Sequence, residues 1–179
     1  NAVVKLEYEA TTDRATHINL TNHSYFNLNG GGTILNHKLQ IESDEYLEVD
    51  DRLIPTGQIL PVKNSRYDYT HLKTIDQTNF IGLDDTFVMR KHRLKATLKS
   101  ESSGIEMQVY SNQPAMVVYT PPKFPNFNFR DTPNYAAFPA ICFETQHFPD
   151  SPHQNHFPTT LLHPDDTYRQ ETSFAFKIS

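Results

Sequence analysis

Apolar and polar side chains alternate along much of the chain, and this two-residue period limits the folds that the sequence can adopt. Near the start, Val4 and Leu6 alternate with Lys5. The same period recurs in four further stretches, at residues 38–42, 93–99, 105–109 and 173–178. Successive side chains of a β-strand point to opposite faces, so this is the pattern of half-buried antiparallel strands. Shorter apolar runs at 116–120 and 140–144 are predicted to be strands as well.

No stretch carries an apolar stripe of helical period, and turn-forming residues divide the chain into short segments. The sequence contains 12 prolines, most of them in its second half, where they favour short strands joined by long loops. The loop from Ser100 to Gly104 separates two alternating runs with the spacing of a β-hairpin. A chain of 179 residues suits one domain with its own core. We therefore predict an all-β fold, an antiparallel β-sandwich, with residues 1–179 as a single domain.

The chain opens with Asn1 rather than methionine and enters a strand pattern within a few residues. This start favours the interpretation that the sequence is a piece of a longer protein, although a native strand can also begin close to a terminus.

The charge of the chain argues against binding to nucleic acid or to an anionic membrane surface. The formal net charge is −5, and the isoelectric point is near 6.0. The longest basic cluster spans only residues 90–93, which is a small electrostatic footprint for a polyanion. The single cysteine, Cys142, excludes an internal disulfide. The charge balance fits a small neutral molecule as the partner. Because neither a signal segment nor a long apolar span is recognisable, the predicted compartment is the cytoplasm.

The most informative motif is the run NLTNHSYFNL at residues 19–28, in which one histidine lies among hydroxyl, amide and aromatic side chains. A hexose needs an aromatic surface for its C–H faces and short polar groups for its hydroxyls. His23 adds a proton carrier, since the pKa of an unperturbed histidine is about 6.5. The run therefore indicates a sugar site that contains His23, although a histidine in a strand or turn is commonly a satisfied structural residue.

Two further motifs place carboxylates next to apolar strands. Glu144 follows the apolar residues 141–143 and is predicted at a strand end, where partial burial would raise its pKa toward that of a useful base. The alternative is an edge glutamate paired with a nearby lysine or arginine. Asp84 and Asp85 follow a glycine turn. Because neighbours in an extended chain point to opposite faces, we expect one of them in a cleft and the other in solvent.

Other chemically capable residues have simpler explanations. Four histidines occur in the proline-rich tail: His147, His153, His156 and His163. Their spacing lacks the regular pairs of zinc sites, so we expect solvated or packed loop histidines and no metal. Cys142 is expected to be a buried structural thiol rather than a nucleophile. Residues 123–134 are expected to form an ordered loop. Its aromatic neighbourhood lines either a sugar cleft or the core, and comprises Phe124, Phe127, Phe129 and Tyr135.

Together these motifs resemble the aldose 1-epimerase (galactose mutarotase) family. The run at 19–28 fills every fixed position of the family's N-x-T-N-H-x-Y-F-N-L pattern. FETQHFPDS, which starts at Phe143, is similar to the segment around the family's catalytic base, and GLDDTF, which starts at Gly82, resembles its G-x-D-x-x-F segment. By this resemblance Glu144 is the base, His23 the acid, and Asp84 the substrate-binding residue that holds sugar hydroxyls.

The resemblance implies an isomerase that interconverts the α and β anomers of a free hexose such as galactose or glucose, with no cofactor. It also implies a place within the larger β-supersandwich of the family, because nearly the whole chain matches only the C-terminal portion of such an enzyme. The missing N-terminal half, which in the family supplies an arginine and a second histidine, is therefore an implied partner, and the chain alone is expected to be inactive. Some family members have a substrate-contacting glutamine at the position of Val117, which leaves the preferred sugar open.

A non-catalytic carbohydrate-binding module is the competing interpretation, since β-sandwiches with aromatic and acidic side chains commonly hold sugars. Such a module does not need an acid and a base in one pocket. The distance between His23 and Glu144 is therefore the discriminating observation.

Overall fold

The computed structural model describes residues 2–76, 80–124 and 136–178, which form 14 β-strands and a single turn of 3-10 helix at Ser151–His153. Six strands, numbered in chain order, make the first sheet. In spatial order they are β1 (Ala2–Ala10), β14 (Tyr168–Ile178), β10 (Ile105–Ser111), β9 (Leu94–Lys99), β4 (Lys38–Ile41) and β7 (Lys73–Thr74).

Six more strands make the second sheet. In spatial order they are β3 (Tyr25–Phe26), β12 (Ile141–Gln146), β11 (Ala115–Tyr119), β8 (Asp84–Met89), β5 (Ser43–Val49) and β6 (Pro55–Pro61). A small separate ladder joins β13 (Leu161–Leu162) to β2 (Thr16–His17). Every strand pair is antiparallel, so the predicted all-β antiparallel class is confirmed.

The core lies between the two large sheets, which gives the sandwich its two layers. Leu39, Leu98 and Met107 stand side by side on the first sheet and are fully buried. They belong to one apolar cluster with Val118 and Phe143 of the second sheet. The alternate residues of the second sheet therefore point away from the core, onto its outer face.

The local sequence patterns account for most of the long strands. The hairpin predicted around Ser100 to Gly104 joins β9 and β10, and the N–H of Ser100 donates to the carbonyl of Ile105 at 2.9 Å. Gly104 has a φ of 70°, a left-handed conformation that glycine adopts without strain. The strand predicted at 140–144 continues to Gln146, so the prediction that Glu144 ends its strand is wrong. Glu144 instead sits inside the ladder.

The first strand forms an apolar edge of the first sheet. Within the described residues β1 pairs only with β14. Val3 and Val4 are 62% and 52% exposed, and Ile178 at the end of β14 is 89% exposed. Beside them lies an open apolar groove of about 540 Å³, lined in part by Ile105 and Phe176. None of the described segments forms a helix with the length and apolarity that crossing a membrane requires.

Candidate functional site

The register of the second sheet brings distant residues into one row on its outer face. Asp84 of β8 lies opposite Tyr119 of β11, Tyr119 lies opposite Cys142 of β12, and Cys142 lies opposite Tyr25 of β3. Directly opposed residues of antiparallel strands project to the same side. We call this row, together with Glu144, the site face.

A second row runs beside the first, because residues two positions apart share a face. Glu144 lies opposite Val117, and Val117 lies opposite Thr86. Glu144 and Cys142 therefore lie on one face of β12, as the sequence predicts. Val117 places an apolar side chain directly beside the carboxylate, where the resemblance leads one to expect a glutamine.

His23 reaches this face because its segment is fastened to β12 and the turn that follows it. The Asn19 side chain donates to the carbonyl of His147 at 3.1 Å and accepts from the His147 N–H at 2.9 Å. The Thr21 hydroxyl donates to the carbonyl of Thr145 at 3.1 Å. These contacts explain the polar residues of the motif around His23, since they hold a segment with little regular structure against a strand.

The geometry brings His23 and Glu144 into direct contact. Nε2 of His23 lies 3.3 Å from Oε1 of Glu144, and the two side chains are 49% and 12% exposed. The imidazole is flanked by two phenol rings, with centroids 4.9 Å away for Tyr25 and 6.0 Å away for Tyr119. An acid–base pair that is sheltered on one side and open on the other can exchange protons with a bound molecule.

Three neighbouring influences act on Glu144. Burial raises the pKa of its carboxyl, the adjacent His23 lowers the pKa, and the negative charge of Asp84 raises it again, with a net shift above the ordinary value. A raised pKa makes a carboxylate a stronger base. The alternative of an edge glutamate paired with lysine or arginine does not describe this residue, whose charged partner in the described part of the chain is a histidine.

Asp84 lies on the site face, and its neighbour does not. The pKa of Asp84 is raised by partial burial and by the charge of Asp85, while His23 lowers it. The prediction that the two carboxylates point to opposite faces and that one of them is exposed is confirmed, and Asp84 is the exposed member. Asp85 is 5% exposed and is paired with Arg66 at 3.3 Å between Nη2 and Oδ2. Alternation sends Asp85 to the buried face, where the guanidinium compensates its charge.

A shallow cleft of about 420 Å³ extends from Asp84 and Tyr119 toward Arg66 and Tyr67. Tyr119 is the site residue that the motifs do not identify. The sequence points to Tyr119 only through the two-residue period of β11, which places position 119 on the same face as position 117. Burial raises the pKa of the Tyr119 phenol, and the charge of Asp84 adds to this effect, so the phenol is a neutral hydrogen-bonding group at ordinary pH.

The remaining predicted residues divide between the site and its surroundings. The Phe124 ring lies edge-on to Tyr25 at 5.3 Å between centroids, which places it beside the site face. Phe127, Phe129 and Tyr135, and the greater part of the predicted loop at 123–134, lie outside the described residues. Cys142 is fully buried, as predicted, and burial strongly raises the pKa of its thiol.

Three of the tail histidines have separate partners. His147 is bonded through Nδ1 to Gln113 at 2.9 Å, His153 to Asp150 at 2.5 Å, and His156 through Nε2 to the carbonyl of Gly57 at 2.8 Å. Because the three partners are different residues, these contacts do not gather the histidines into one cluster.

Comparison with known proteins gives a consistent result. A family profile described as aldose 1-epimerase matches residues 1–175. The galactose mutarotase of Mus musculus is 37% identical, with 97% of this chain and 54% of the relative covered. The aldose 1-epimerase of Escherichia coli K12 is 31% identical over the same shares. The crystal structure of the GalM/aldose epimerase homologue from C. elegans superposes with a TM-score of 0.89 at 33% identity, over 98% of this chain and 56% of that one. The chain thus spans about half the length of the curated relatives it matches.

Proposed function

The chain belongs to the aldose 1-epimerase family, and from this premise we propose that its site face supplies the acid–base pair for interconverting the α and β anomers of a free hexose such as galactose or glucose. The observation that carries the proposal is the 3.3 Å contact between Nε2 of His23 and Oε1 of Glu144. The anomeric hydroxyl and the ring oxygen of an aldose are bonded to the same carbon. An acid and a base that serve both oxygens must therefore lie close together.

In the proposed cycle Glu144 removes the proton of the anomeric hydroxyl while protonated His23 donates a proton to the ring oxygen. The bond between the ring oxygen and C1 breaks, and the open-chain aldehyde rotates about the C1–C2 bond. Ring closure then reverses both proton transfers, so that the enzyme returns to its starting state. Burial and the nearby charge of Asp84 both raise the pKa of Glu144, which brings its basicity closer to what proton abstraction needs.

Asp84 is proposed to hold sugar hydroxyls rather than to take part in proton transfer. Its strand is separated from that of Glu144 by one intervening strand, and its register partner on β12 is Cys142, two residues from Glu144. Asp84 and Glu144 therefore stand about 12 Å apart at the backbone, from two interstrand spacings and an offset of two residues along the strand. One sugar ring can lie over Tyr119 between them. A carboxylate accepts two hydroxyl hydrogen bonds at once, which suits a pair of neighbouring hydroxyls.

The site is proposed to work as part of a larger fold. Because the chain spans 54% of the mouse relative, we propose that residues 1–179 form the C-terminal domain of an aldose 1-epimerase sandwich and that an N-terminal half completes the sugar site. The exposed apolar edge of β1, with Val3 and Val4, supports this arrangement.

A carbohydrate-binding module remains the second candidate, since Tyr25 is 48% exposed and offers a stacking surface for a sugar ring. The contact between His23 and Glu144 favours the enzyme, because binding alone gives no reason for an acid–base pair.

The deciding experiment uses a completed protein, in which the part of mouse galactose mutarotase that this chain does not match precedes residue 1. Polarimetry of freshly dissolved α-galactose or α-glucose measures mutarotation directly. We expect catalysis by the completed protein, and a loss of about 10²–10⁴ in turnover for Glu144→Gln with unchanged folding, as for removal of a general base. Sugar binding without acceleration would favour the binding module, whereas an effect of Glu144→Gln below tenfold would refute the assignment of Glu144 as the base.

A further inference from the structure

Three side chains that bind metals in other proteins meet on the site face. One ligand atom from each of His23, Cys142 and Glu144 lies within 4.8 Å of the others. Elsewhere in the described ranges no further trio of histidine, cysteine and acidic side chains comes this close. The proposed proton transfers use His23 and Glu144 but give no role to the sulfur of Cys142.

The spacing of these atoms suits a small tetrahedral cation. Zn²⁺ binds imidazole nitrogen and carboxylate oxygen at about 2.0–2.2 Å and thiolate sulfur at about 2.3 Å, which sets neighbouring ligand atoms about 3.3–3.7 Å apart. The nitrogen of His23 and the oxygen of Glu144 are already 3.3 Å apart. The three ligand atoms lie within 4.8 Å of one another, so binding requires shifts of at most about 1–1.5 Å to reach the ligand spacing of a zinc site.

Charge and access favour the same kind of cation. One thiolate and one carboxylate carry two negative charges, which a divalent ion neutralises in a site that burial makes costly for an unpaired charge. A mixed set of nitrogen, sulfur and oxygen ligands suits Zn²⁺ and disfavours Mg²⁺ and Ca²⁺, which prefer oxygen alone. Since the His23 side chain is half exposed, solvent has access to the outer side of the cluster.

We propose that His23, Cys142 and Glu144 form a reversible inhibitory site for a thiophilic divalent cation, represented by Zn²⁺. On binding, the thiol proton of Cys142 leaves to solvent, and so does the Nε2 proton of His23 when the imidazole is protonated. The sulfur, Nε2 of His23 and one oxygen of Glu144 each donate an electron pair to the cation, and a water molecule takes the fourth position. No electron is transferred. The cation occupies both members of the acid–base pair, so cation and sugar exclude each other. Metal binding rests on the geometry alone, whereas inhibition also rests on the proposed function.

The test uses untagged residues 1–179 and Co²⁺ as the probe. Thiolate coordination of Co²⁺ gives a charge-transfer absorption band in the near ultraviolet, which imidazole and carboxylate ligands alone do not give. We expect a band that saturates at one Co²⁺ per chain and disappears when Zn²⁺ is added. Cys142→Ala should abolish the band. Glu144→Gln should keep it but weaken Co²⁺ affinity by at least about tenfold, as loss of a ligand.

The matched control is His92→Gln. His92 forms another histidine–glutamate pair, with Nε2 at 3.4 Å from Oε2 of Glu42 and no thiol in the cluster, so this variant should leave Co²⁺ binding unchanged. If Cys142→Ala does not fold by circular dichroism, His23→Gln replaces it, because His23 is half exposed and its loss should lower Co²⁺ affinity to a similar degree.

A chain without the band, or a band that survives Cys142→Ala, overturns the site. Unchanged Co²⁺ affinity in Glu144→Gln overturns the three-ligand set. In the completed protein we expect Zn²⁺ to suppress mutarotation and a chelator to restore it. An active protein that shows the band but resists Zn²⁺ overturns the inhibitory role. A protein that shows the band but has no activity refutes the proposed function and leaves the metal site standing.

Discussion

His23 touches a buried carboxylate on one side and solvent on the other, which is the position that the proposed proton donor requires. If it is the acid, activity must fall as rising pH removes its proton. His23→Asn in the completed protein should lower turnover by about 10²–10⁴ and remove the alkaline limb of the pH–rate profile. His92→Asn alters a similar pair that lies beyond the end of β8 opposite to Asp84, and it should change neither the turnover nor the profile. A His23→Asn protein with the parental rate and profile would make His23 structural.

Asp84 should affect two measurable quantities, the pKa of Glu144 and the KM for the sugar. Its charge raises the pKa of Glu144, so Asp84→Asn should lower that pKa and move the acid limb of the pH–rate profile to lower pH. Because Asp84 is also proposed to hold hydroxyls, the KM for the sugar should rise more than kcat falls. An acid limb that stays in place, or a defect confined to kcat, would contradict these roles. Polarimetry over a pH series measures both quantities.

The candidate site residues could be identified from the sequence because each lies in a motif dense with specified positions. His23, Glu144 and Asp84 are brought to one face as that reading requires. Tyr119 could not be identified, since an aromatic residue in an alternating strand is equally typical of a core. The buried position of Asp85 could not be predicted from the sequence either. Only the fold shows which face of β8 is covered and that Arg66 contacts the Asp85 carboxylate.

At the scale of elements, the segment before β3 depends on side chains for its position. Asn19 makes two hydrogen bonds to the backbone of His147. Asn19→Ala should free the segment that carries His23, lowering kcat by about tenfold or more through misplacement of the acid. Because these bonds are exposed, the free energy of unfolding should fall by only about 1 kcal/mol.

Thr12→Ala is the control for this change. It removes a similar exposed hydrogen bond between a side chain and the backbone, in the loop after β1, and should leave kcat unaltered. If both variants reduce activity equally, the role of Asn19 in positioning His23 is refuted. Steady-state polarimetry and urea unfolding of each variant give the two quantities.

The strands were predictable from the sequence where one face is buried and the other is exposed to solvent. β1, β4, β10 and β14 follow the alternating period closely. β9 alternates in sequence, but Lys95 and Thr97 on its polar face are buried as well. The two-residue strands β2, β3, β7 and β13 were not predictable, because so short a segment has no measurable period and owes its pairing to its neighbours. The end of β12 was mispredicted for a related reason. The two polar residues after Glu144 show no apolar alternation, yet they belong to the strand because they pair with β11.

For the whole molecule, a fully buried histidine makes stability depend on pH. Nε2 of His37 accepts a hydrogen bond from the N–H of Leu28 at 3.1 Å, and burial lowers the pKa of His37 from 6.5 to about 4. In the unfolded chain the histidine takes up a proton more readily, so folding stability is complete above pH 6.5 and is lost as pH falls toward 4. The loss from this group should reach about 3 kcal/mol.

Urea unfolding of residues 1–179 at pH 7 and pH 4.5 measures this effect. His37→Gln keeps a hydrogen-bond acceptor without a titrating group, so it should reduce the difference in unfolding free energy between the two pH values. An undiminished difference would assign the acid sensitivity to other residues.

The apolar edge of β1 should govern how the isolated chain behaves. Val4 is 52% exposed although it lies on the face that carries the core residue Phe174. We expect residues 1–179 alone to lack mutarotase activity and to associate, because an unpaired strand edge and exposed apolar surface favour contact between chains. Val4→Lys should shift the sedimentation coefficient toward that of the monomer. Leu72→Lys, at a site that is 41% exposed elsewhere, should not.

A wild-type chain that sediments as a monomer and catalyses at an ordinary rate would refute this prediction. It would also mean that the site face needs no completing half.

The hydrogen bonds between Asn19 and His147 join segments that are synthesised at different times. Asn19 and His147 are 128 positions apart, and a ribosome adds roughly 5–20 residues per second, so the segment that carries His23 emerges roughly 6–25 s before the strand that carries Glu144. β1 remains unpaired for longer, since its neighbour β14 is the last of the described strands to be synthesised. Throughout that interval the nascent chain contains His23 without Glu144. The proposed acid–base pair therefore assembles late in synthesis, in the same seconds in which the first sheet acquires the last of its described strands.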